Sequence, residues 1–244
     1  MIDLREGVRF HDGAPLDAEA VKLILVRNKT STRSNVKADL ETVAAIEVTG
    51  PAQVMLRLSA PDTALPGILS NRAGMMMSPV AIKSGENLDR KPVGSGAYTF
   101  VSWSDGDKVV VRRNEAGHWR ADRNFVDGIE FAIIPELTTG VRSVSSGQND
   151  FMVGAPARLK AIIERSSGVQ VVTGTTLACA QFYLNWGKPR FDDVRVRQAM
   201  NFAIDREAYA KVAYAGLAEP AGMNLPRSHW AYDADVAKLY PYVR

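Results

Sequence analysis

Few residues of this chain have types and spacings that could do chemistry. No Cys-based metal site can form, because the sequence has one cysteine, Cys179, which also excludes an internal disulfide. The three histidines lie far apart, and none has a partner at metal-ligand spacing: His11, His118 and His229. We therefore expect neither a metal nor a cofactor.

One pair of residues has the spacing of a catalytic motif. Ser34 and Lys37 are three positions apart, as in some acyl-transfer enzymes that use a serine nucleophile. The partner motifs of those enzymes are missing, and the sequence has no Gly-x-Ser-x-Gly elbow and no phosphate-binding loop. We expect the protein not to be an enzyme, and a serine/lysine acyl-transfer enzyme is the alternative.

Length and composition indicate a folded protein. At about 150 residues per domain, 244 residues make one large domain or two small ones. Hydrophobic residues make up 46% and charged residues 23%, which excludes wholesale disorder. No run approaches the ~20 apolar residues of a spanning helix, so we expect no membrane insertion. The net charge is only +3 and the basic residues are scattered, so no nucleic-acid partner is expected.

The first half of the chain has the pattern of a mixed α/β domain. A short strand is expected over residues 4–10, followed by a helix that Asp17 caps. Alternating residues predict a hairpin within 42–58 and a second hairpin over 98–113, and residues 129–134 predict another strand. Further on, Thr138 can cap a short helix, residues 156–166 favour another helix, and brief strands are expected at 151–152 and 169–172.

The last third carries an aromatic-rich segment and a long helix. Residues 179–186 predict an extended strand. Its aromatic residues and a second aromatic group, Trp230 and Tyr232, suit a ligand cleft or, equally, an ordinary core. Asp192 or Asp193 caps a helix that runs to about Gly216. Arg195 and Arg197 lie in its first turn, where the helix dipole disfavours cations, so we expect them to pair with those aspartates.

Three motifs occur in a recognisable order along the chain. They are LREGVRFHDG from residue 4, PVGSGAYTF from residue 92, and FDDVRVRQAMN from residue 191 followed by AIDR from residue 203. This series resembles the extracytoplasmic solute-binding proteins of ABC importers, in the peptide/nickel-type family. The resemblance covers nearly the whole chain.

The resemblance implies an α/β fold of the periplasmic-binding-protein type II-like class, with mixed sheets, flanking helices and an incomplete two-lobed architecture. Residues 1–176 would form most of the first lobe, and residues 177–244 the hinge strand and the start of the second. Family members begin with a signal peptide and continue well beyond this chain, which therefore looks like a fragment. The implied localisation is periplasmic or extracytoplasmic.

The family also implies a function without catalysis. Such a protein binds a peptide or similar small solute between its lobes and delivers it to a membrane permease. By resemblance, Gln181 and Tyr183 are expected to line the cleft, with Met76 and Arg113 as weaker candidates. We expect weak ligand binding or none if one wall of the cleft is absent. A non-binding interaction module that buries its open face in an oligomer is a further alternative.

Overall fold

The computed structural model describes residues 1–85, 87–120, 122–123, 125–239 and 241. The chain divides into two compact units, the first ending at Ile133 and the second beginning at Ile134. Both sheets belong to the first unit, whereas the regular elements described in the second are helical. The mixed α/β composition predicted from the sequence is confirmed. The lobe boundary expected after residue 176 stays a prediction.

The first sheet of the first unit is covered by one amphipathic helix. Its strands are β1 (Ile2–Asp3), β2 (Val43–Gly50) and β3 (Gln53–Leu58), antiparallel in the order β1-β3-β2. Helix α1 (Ala18–Thr30) packs against β2 and β3. Asp17 caps this helix as predicted, because its Oδ1 accepts a hydrogen bond from the Ala20 N–H at 2.9 Å.

The core of the first unit forms where α1 meets this sheet. Val21 and Leu25 on α1 contact a cluster that includes Val43 and Val54, both at most 1% exposed. Ile24 is fully buried in a neighbouring cluster with Phe10. The apolar residues that alternate along the 42–58 hairpin therefore face the apolar residues at helical spacing on α1, as the sequence pattern predicts.

The second sheet is an antiparallel meander. It contains β4 (Tyr98–Ser104), β5 (Lys108–Arg113) and β6 (Gly128–Ala132) in sequence order. The predicted hairpin and the following strand are thereby confirmed. Arg90 supports the hairpin turn: it donates to both carboxylate oxygens of Asp105, at 2.5 and 2.9 Å, and lies 4.6 Å over the ring of Trp103.

Short helices make up the regular structure of the rest of the described chain. In the first unit these are α2 (Leu65–Leu69) and α3 (Pro79–Lys83). In the second they are α4 (Leu137–Ser145), α5 (Lys160–Ile163), α6 (Val194–Phe202) and α7 (Arg206–Ala213). The long helix predicted to reach Gly216 is wrong, since Asp205 caps α7 separately by accepting from the Ala208 N–H at 2.9 Å. Two capped helices therefore replace one.

Two further details of the second unit differ from the sequence prediction. Helix α4 is capped by Glu136 and not by Thr138, because the longer carboxylate reaches two backbone N–H groups of the first turn. At α6, Arg195 pairs with the capping Asp193 at 2.6 Å, which confirms that prediction. Arg197 instead donates to the carbonyl oxygens of Phe191 and Asp192, at 2.7 and 3.0 Å.

Several predicted strands do not form. Residues 4–10 contribute only a single bridge between Arg9 and Pro15, and the residues at 151–152 and 169–172 belong to no described strand. The predicted hinge strand over residues 179–186 is also absent from the described elements. A strand needs a partner to satisfy its backbone groups, and no described backbone segment pairs with residues 151–152, 169–172 or 179–184. Residues 4–10 make only isolated backbone hydrogen bonds, such as that from the Leu4 N–H to the Ala52 oxygen at 2.8 Å. The helix expected over 156–166 is reduced to a 3-10 turn and α5.

Candidate functional site

The segment predicted to line a ligand cleft lies open in the second unit. Tyr183 is 90% exposed, and the neighbouring aromatic side chains of Phe182 and Trp186 are 73% and 74% exposed. The alternation of a strand would place Gln181 and Tyr183 on one face and Phe182 on the other, and this stays a prediction because the residues are not in a described strand. An exposed tyrosine or tryptophan side chain offers a ligand both an apolar ring and a hydrogen-bonding group.

Gln181 ties this segment to a loop further along the chain. Its Nε2 donates a hydrogen bond to the Asn224 carbonyl oxygen at 3.3 Å. That loop carries Trp230, which is 92% exposed and stacks on His229 with 5.5 Å between ring centroids. The two aromatic groups singled out in the sequence therefore belong to segments that one side-chain hydrogen bond links.

A cavity of about 590 Å³, lined by both polar and apolar residues, lies beside the same loop within the second unit. Its charged lining side chains come from the start of α7 and from the loop after it: Asp205, Arg206, Glu207, Arg227 and Lys238. Guanidinium and carboxylate groups in one cavity can bind a solute that carries both an ammonium and a carboxylate. The four predicted site residues are not among its described lining residues.

The electrostatics beside this region come from paired side chains. Arg195 donates to Asp193, and this hydrogen bond lowers the pKa of the Asp193 carboxyl and raises that of the Arg195 guanidinium. Arg206 at the rim of the cavity donates to the Asn201 Oδ1 at 2.6 Å. The Arg206 contact joins α6 to the start of α7, which contributes to the cavity wall.

Met76 and Arg113, the weaker candidates, belong to the first unit. Met76 is half-buried and packs against both hydrophobic clusters of the first unit, as a core residue does. Arg113 is at the end of β5 and is paired with Asp127 through its side chain, while its backbone N–H donates to the Asp127 carbonyl at 2.8 Å. A ligand carboxylate would have to compete with Asp127 for this guanidinium. Both assignments stay predictions.

Sequence reasoning did not find a junction of three loops near Met76. The His11 N–H donates to the Gly94 carbonyl at 2.8 Å, and the His11 Nε2 lies 3.0 Å from the Gly96 oxygen. Asp12 accepts a hydrogen bond from the hydroxyl of Ser78, which is fully buried. The signal in the sequence was the motif pair His-Asp-Gly and Gly-Ser-Gly, whose residues are far apart in the chain. Their joint role is to fix the loop that presents Met76.

The residues of the acyl-transfer alternative share a shallow depression of about 500 Å³. The Ser34 hydroxyl oxygen accepts a hydrogen bond from the Val36 N–H at 3.3 Å. Within the described residues no hydrogen bond joins Ser34 to Lys37. A serine nucleophile requires a base within hydrogen-bond reach, so this geometry does not support the alternative.

The described residues offer neither a metal-binding cluster nor a membrane-spanning helix. In the described ranges, no three His, Cys, Asp or Glu side chains come together as a metal-binding group. No helix in the same ranges combines the length and the apolar character needed to cross a bilayer.

Comparisons with known proteins place the chain in a family. The profile described as bacterial extracellular solute-binding proteins, family 5 Middle, matches residues 1–243. The glutathione-binding protein GsiB of Salmonella typhi is 32% identical over 247 residues, which cover 97% of this chain and 48% of GsiB. The chain thus spans about half the length of the curated relatives it matches.

Solved structures show the same fold. The binding protein AgaA from A. tumefaciens R10, in complex with agropinic acid, matches with a TM-score of 0.85 and 24% identity over 99% of this chain and 49% of its own. The periplasmic binding protein DppA of Helicobacter pylori, in complex with the peptide STSA, matches with a TM-score of 0.84 and 22% identity over 99% and 51%. The periplasmic-binding-protein fold expected from the motifs is confirmed, and the chain belongs to family 5 of the bacterial extracellular solute-binding proteins.

Proposed function

We propose that this chain forms part of the solute-binding component of an ABC import system. It binds a peptide or similar small solute outside the cytoplasm and delivers it to a membrane permease. The observation that carries the proposal is the family match along residues 1–243. Three relatives are named for glutathione, agropinic acid and a peptide, which are small polar solutes with carboxylate groups.

Gln181 and Tyr183 are the residues that we expect to contact the solute. The Gln181 amide donates through Nε2 to Asn224, which orients the side chain and directs its Oε1 as an acceptor. Tyr183 is almost fully exposed and offers an aromatic face and a hydroxyl. Ligand sites combine apolar and aromatic surface with a few polar groups that orient the ligand, and these two side chains supply both.

The proposal excludes catalysis by Ser34. A serine nucleophile would be labelled by a serine-reactive phosphonate, and the label would be lost in Ser34→Ala. We expect no labelling, because the described hydroxyl accepts only from the Val36 N–H and has no base beside it. Stoichiometric labelling that Ser34→Ala abolishes would establish the enzyme alternative.

The test of binding is a calorimetric titration with glutathione and with the peptide Ser-Thr-Ser-Ala. We expect saturable binding that is weaker than micromolar and that Tyr183→Ala weakens at least about tenfold. Phe182→Ala is the matched control, since Phe182 is also an exposed aromatic residue and the alternation predicts it on the other face.

Three results would count against the proposal or part of it. No saturable binding of either solute agrees with a cleft that lacks one wall, and it contradicts the prediction that Gln181 and Tyr183 bind the solute in this chain by itself. Equal losses of affinity in Tyr183→Ala and Phe182→Ala contradict the prediction that Tyr183, and not Phe182, faces the solute. Micromolar affinity would contradict the expectation that the chain alone binds weakly. Native mass spectrometry of gently purified protein gives an independent reading, because a retained small mass identifies the solute.

A further inference from the structure

Three consecutive methionines lie in the loop between the 3-10 turn Arg72–Gly74 and helix α3 of the first unit. Met75 is 63% exposed, whereas Met76 and Met77 are half-buried. Peroxides oxidise a thioether to a sulfoxide, and the product is polar where the original side chain was apolar. The consequence for the protein therefore depends on which of the three side chains is oxidised.

Met76 occupies a position between the two hydrophobic clusters of the first unit. It packs against both of them, and Leu16 is the other partly buried side chain described as doing so. Helix α1 contributes to both clusters as well, with Leu25 in one and Ile24 in the other. The Met76 side chain thus covers the place where the two clusters meet on this helix.

The backbone on either side of Met76 is held by hydrogen bonds. The Met75 N–H donates to the Arg72 carbonyl oxygen at 3.3 Å, and the Ser78 N–H donates to the Val93 carbonyl oxygen at 2.9 Å. Ser78 is also fully buried. Because both flanks are fixed, the Met76 side chain cannot leave the clusters unless these contacts break. A change in its polarity must be accommodated where it lies.

We propose that Met76 is an oxidation site that acts as a redox-sensitive switch between the two clusters. A sulfur lone pair attacks one oxygen of hydrogen peroxide, an S–O bond forms, and the O–O bond breaks. The departing hydroxide takes the proton of the transferred oxygen and becomes water. Sulfur is oxidised by two electrons, and the peroxide is reduced by two.

The sulfoxide would destabilise the contact that the thioether makes. Its oxygen is a strong hydrogen-bond acceptor, and the cluster side chains around Met76 are aliphatic or aromatic and offer it no donor. A polar group that is buried without a partner is unfavourable, so the clusters open to water at this point. Two thiols, acting through a methionine sulfoxide reductase, return the thioether and leave as a disulfide and water, so the change is reversible.

Met75 separates this switch from the general oxidation of methionines. Its side chain is exposed, so its sulfoxide remains hydrated and costs the fold little. We expect Met75 to be oxidised first and without structural effect, and Met76 more slowly and with one. The inference goes beyond the proposed function, since it concerns the first unit and does not depend on the solute.

The experiment treats the whole chain with hydrogen peroxide and follows oxidation and limited proteolysis on the same samples. Fragmentation of the peptide that contains the three methionines locates the added oxygen by mass spectrometry. We expect cleavage within residues 1–133 to accelerate about tenfold or more as Met76 sulfoxide accumulates, and to slow again after treatment with a methionine sulfoxide reductase and a thiol.

Substitutions assign the effect to one sulfur. In Met76→Leu, which keeps the apolar volume, peroxide should no longer accelerate cleavage. Met75→Leu is the matched control and should respond to peroxide as the unsubstituted chain does. Met76→Gln introduces a polar side chain without any oxidant, so it should be cleaved about tenfold faster, whereas Met75→Gln should not.

Four outcomes would overturn the proposal. Acceleration that persists in Met76→Leu would assign the effect to another methionine. Complete oxidation of Met76 with unchanged cleavage, or normal resistance of Met76→Gln, would show that the clusters tolerate a polar group there. Full oxidation of Met75 while Met76 stays reduced would show that peroxide does not reach Met76. Resistance that does not return after the sulfoxide is reduced would show damage and not a switch.

Discussion

The two units of this chain differ in how their residues are held. In the first unit, nine buried residues form one cluster between α1, the β1-β3-β2 sheet and the neighbouring loops. In the described part of the second unit, the buried hydrophobic residues are Val141, Ile163 and Ala210. Its helices are fixed mainly by capping side chains, and many of its large apolar residues are exposed. A family match extends over both units, but only the first has a core of its own.

The largest expected effect is the loss of a core side chain from the first unit. Ile24 is fully buried and packs with Phe10 and Ala20, so Ile24→Ala leaves a cavity. We expect the free energy of unfolding of this unit to fall by about 2–5 kcal/mol. Urea denaturation measures it, followed by tryptophan fluorescence in a Trp186→Phe/Trp230→Phe background that leaves Trp103 and Trp119 of the first unit.

The control for Ile24→Ala lies in the second unit. Val212 on α7 is 81% exposed, so Val212→Ala should change the free energy of unfolding by less than about 0.5 kcal/mol. Equal losses for the two variants would show that the second unit has a core comparable with that of the first. The two units would then not differ in how their residues are held.

Two glycines make a matched pair across the units. A Cβ on Gly74 would lie 1.9 Å from the Leu69 carbonyl oxygen, and one on Gly222 would lie 1.8 Å from the Ala237 oxygen. Both substitutions to alanine force a backbone shift. Gly74 adjoins buried Ala73 of the core cluster, so we expect Gly74→Ala to cost about 1–3 kcal/mol of stability.

Gly222→Ala should cost less, because the Ala237 backbone lies in a 3-10 turn with no described buried residue and can move. The difference between the two variants is measured by thermal unfolding and by protease resistance of each unit. A larger loss for Gly222→Ala would indicate that the 222–237 region is rigid, and the cavity beside it would then be a preformed site.

The loop junction of the first unit gives a smaller effect. The Ser78 hydroxyl donates to Asp12 and accepts from the Val80 and Ala81 N–H groups, at 3.1 and 3.3 Å. Ser78→Ala removes this cap and the donor to Asp12 Oδ2, while Oδ1 keeps the Ala14 N–H at 3.1 Å, and we expect a loss of about 1–2 kcal/mol. Ser70→Ala is the control, since Ser70 is exposed and donates only to the Gly67 carbonyl.

If Ser70→Ala lowered the free energy of unfolding as much as Ser78→Ala, the contacts of Ser78 at the loop junction would not be more stabilising than those of an exposed serine. Denaturant titration gives the stability. Resonances of the methionine methyl groups report whether the loop that carries Met76 has moved.

Most of the first unit could be predicted because its signals are local. Asp17 before an amphipathic helix and the alternating residues around Gly50-Pro51 each specify an element whose partners are near in sequence. The loop junction could not be predicted in the same way. His11 and Gly96 meet through hydrogen bonds across more than eighty residues, and neither segment has a pattern that specifies the other.

The second unit shows the opposite case, in which a strong local pattern is not enough. Residues 179–186 have the sequence of a strand, yet pairing is a property of two segments, and no described segment supplies the second. The candidate site depends on the same residues. Family resemblance selected Gln181 and Tyr183, and their hydrogen bonds and exposure became known only from the structure.

The smallest expected effect concerns the cap of α4 and tests whether the second unit is held by such local contacts. The Glu136 carboxylate accepts from the Thr138 and Thr139 N–H groups, at 3.0 and 2.6 Å. These bonds, chiefly that from the Thr138 backbone, lower the pKa of Glu136 from 4.5 to about 2. Because the pKa of the Glu136 carboxyl is lower in the folded state than in the unfolded state, its ionised form stabilises the folded state at pH values above 4.5. This contribution is lost as the pH falls from 4.5 towards 2.

The amide resonances of Thr138 and Thr139 should therefore titrate with a midpoint near 2. In Glu136→Gln this titration should vanish, because glutamine does not ionise; its single amide oxygen can accept from one of the two N–H groups, and its NH2 group cannot accept from the other. A midpoint at 4.5 in the unsubstituted chain would show that the carboxylate does not hold the first turn of α4. Since the buried residues of α4 are Gly140, Val141 and Ser143, loss of the cap would leave its first turn with few other contacts to hold it.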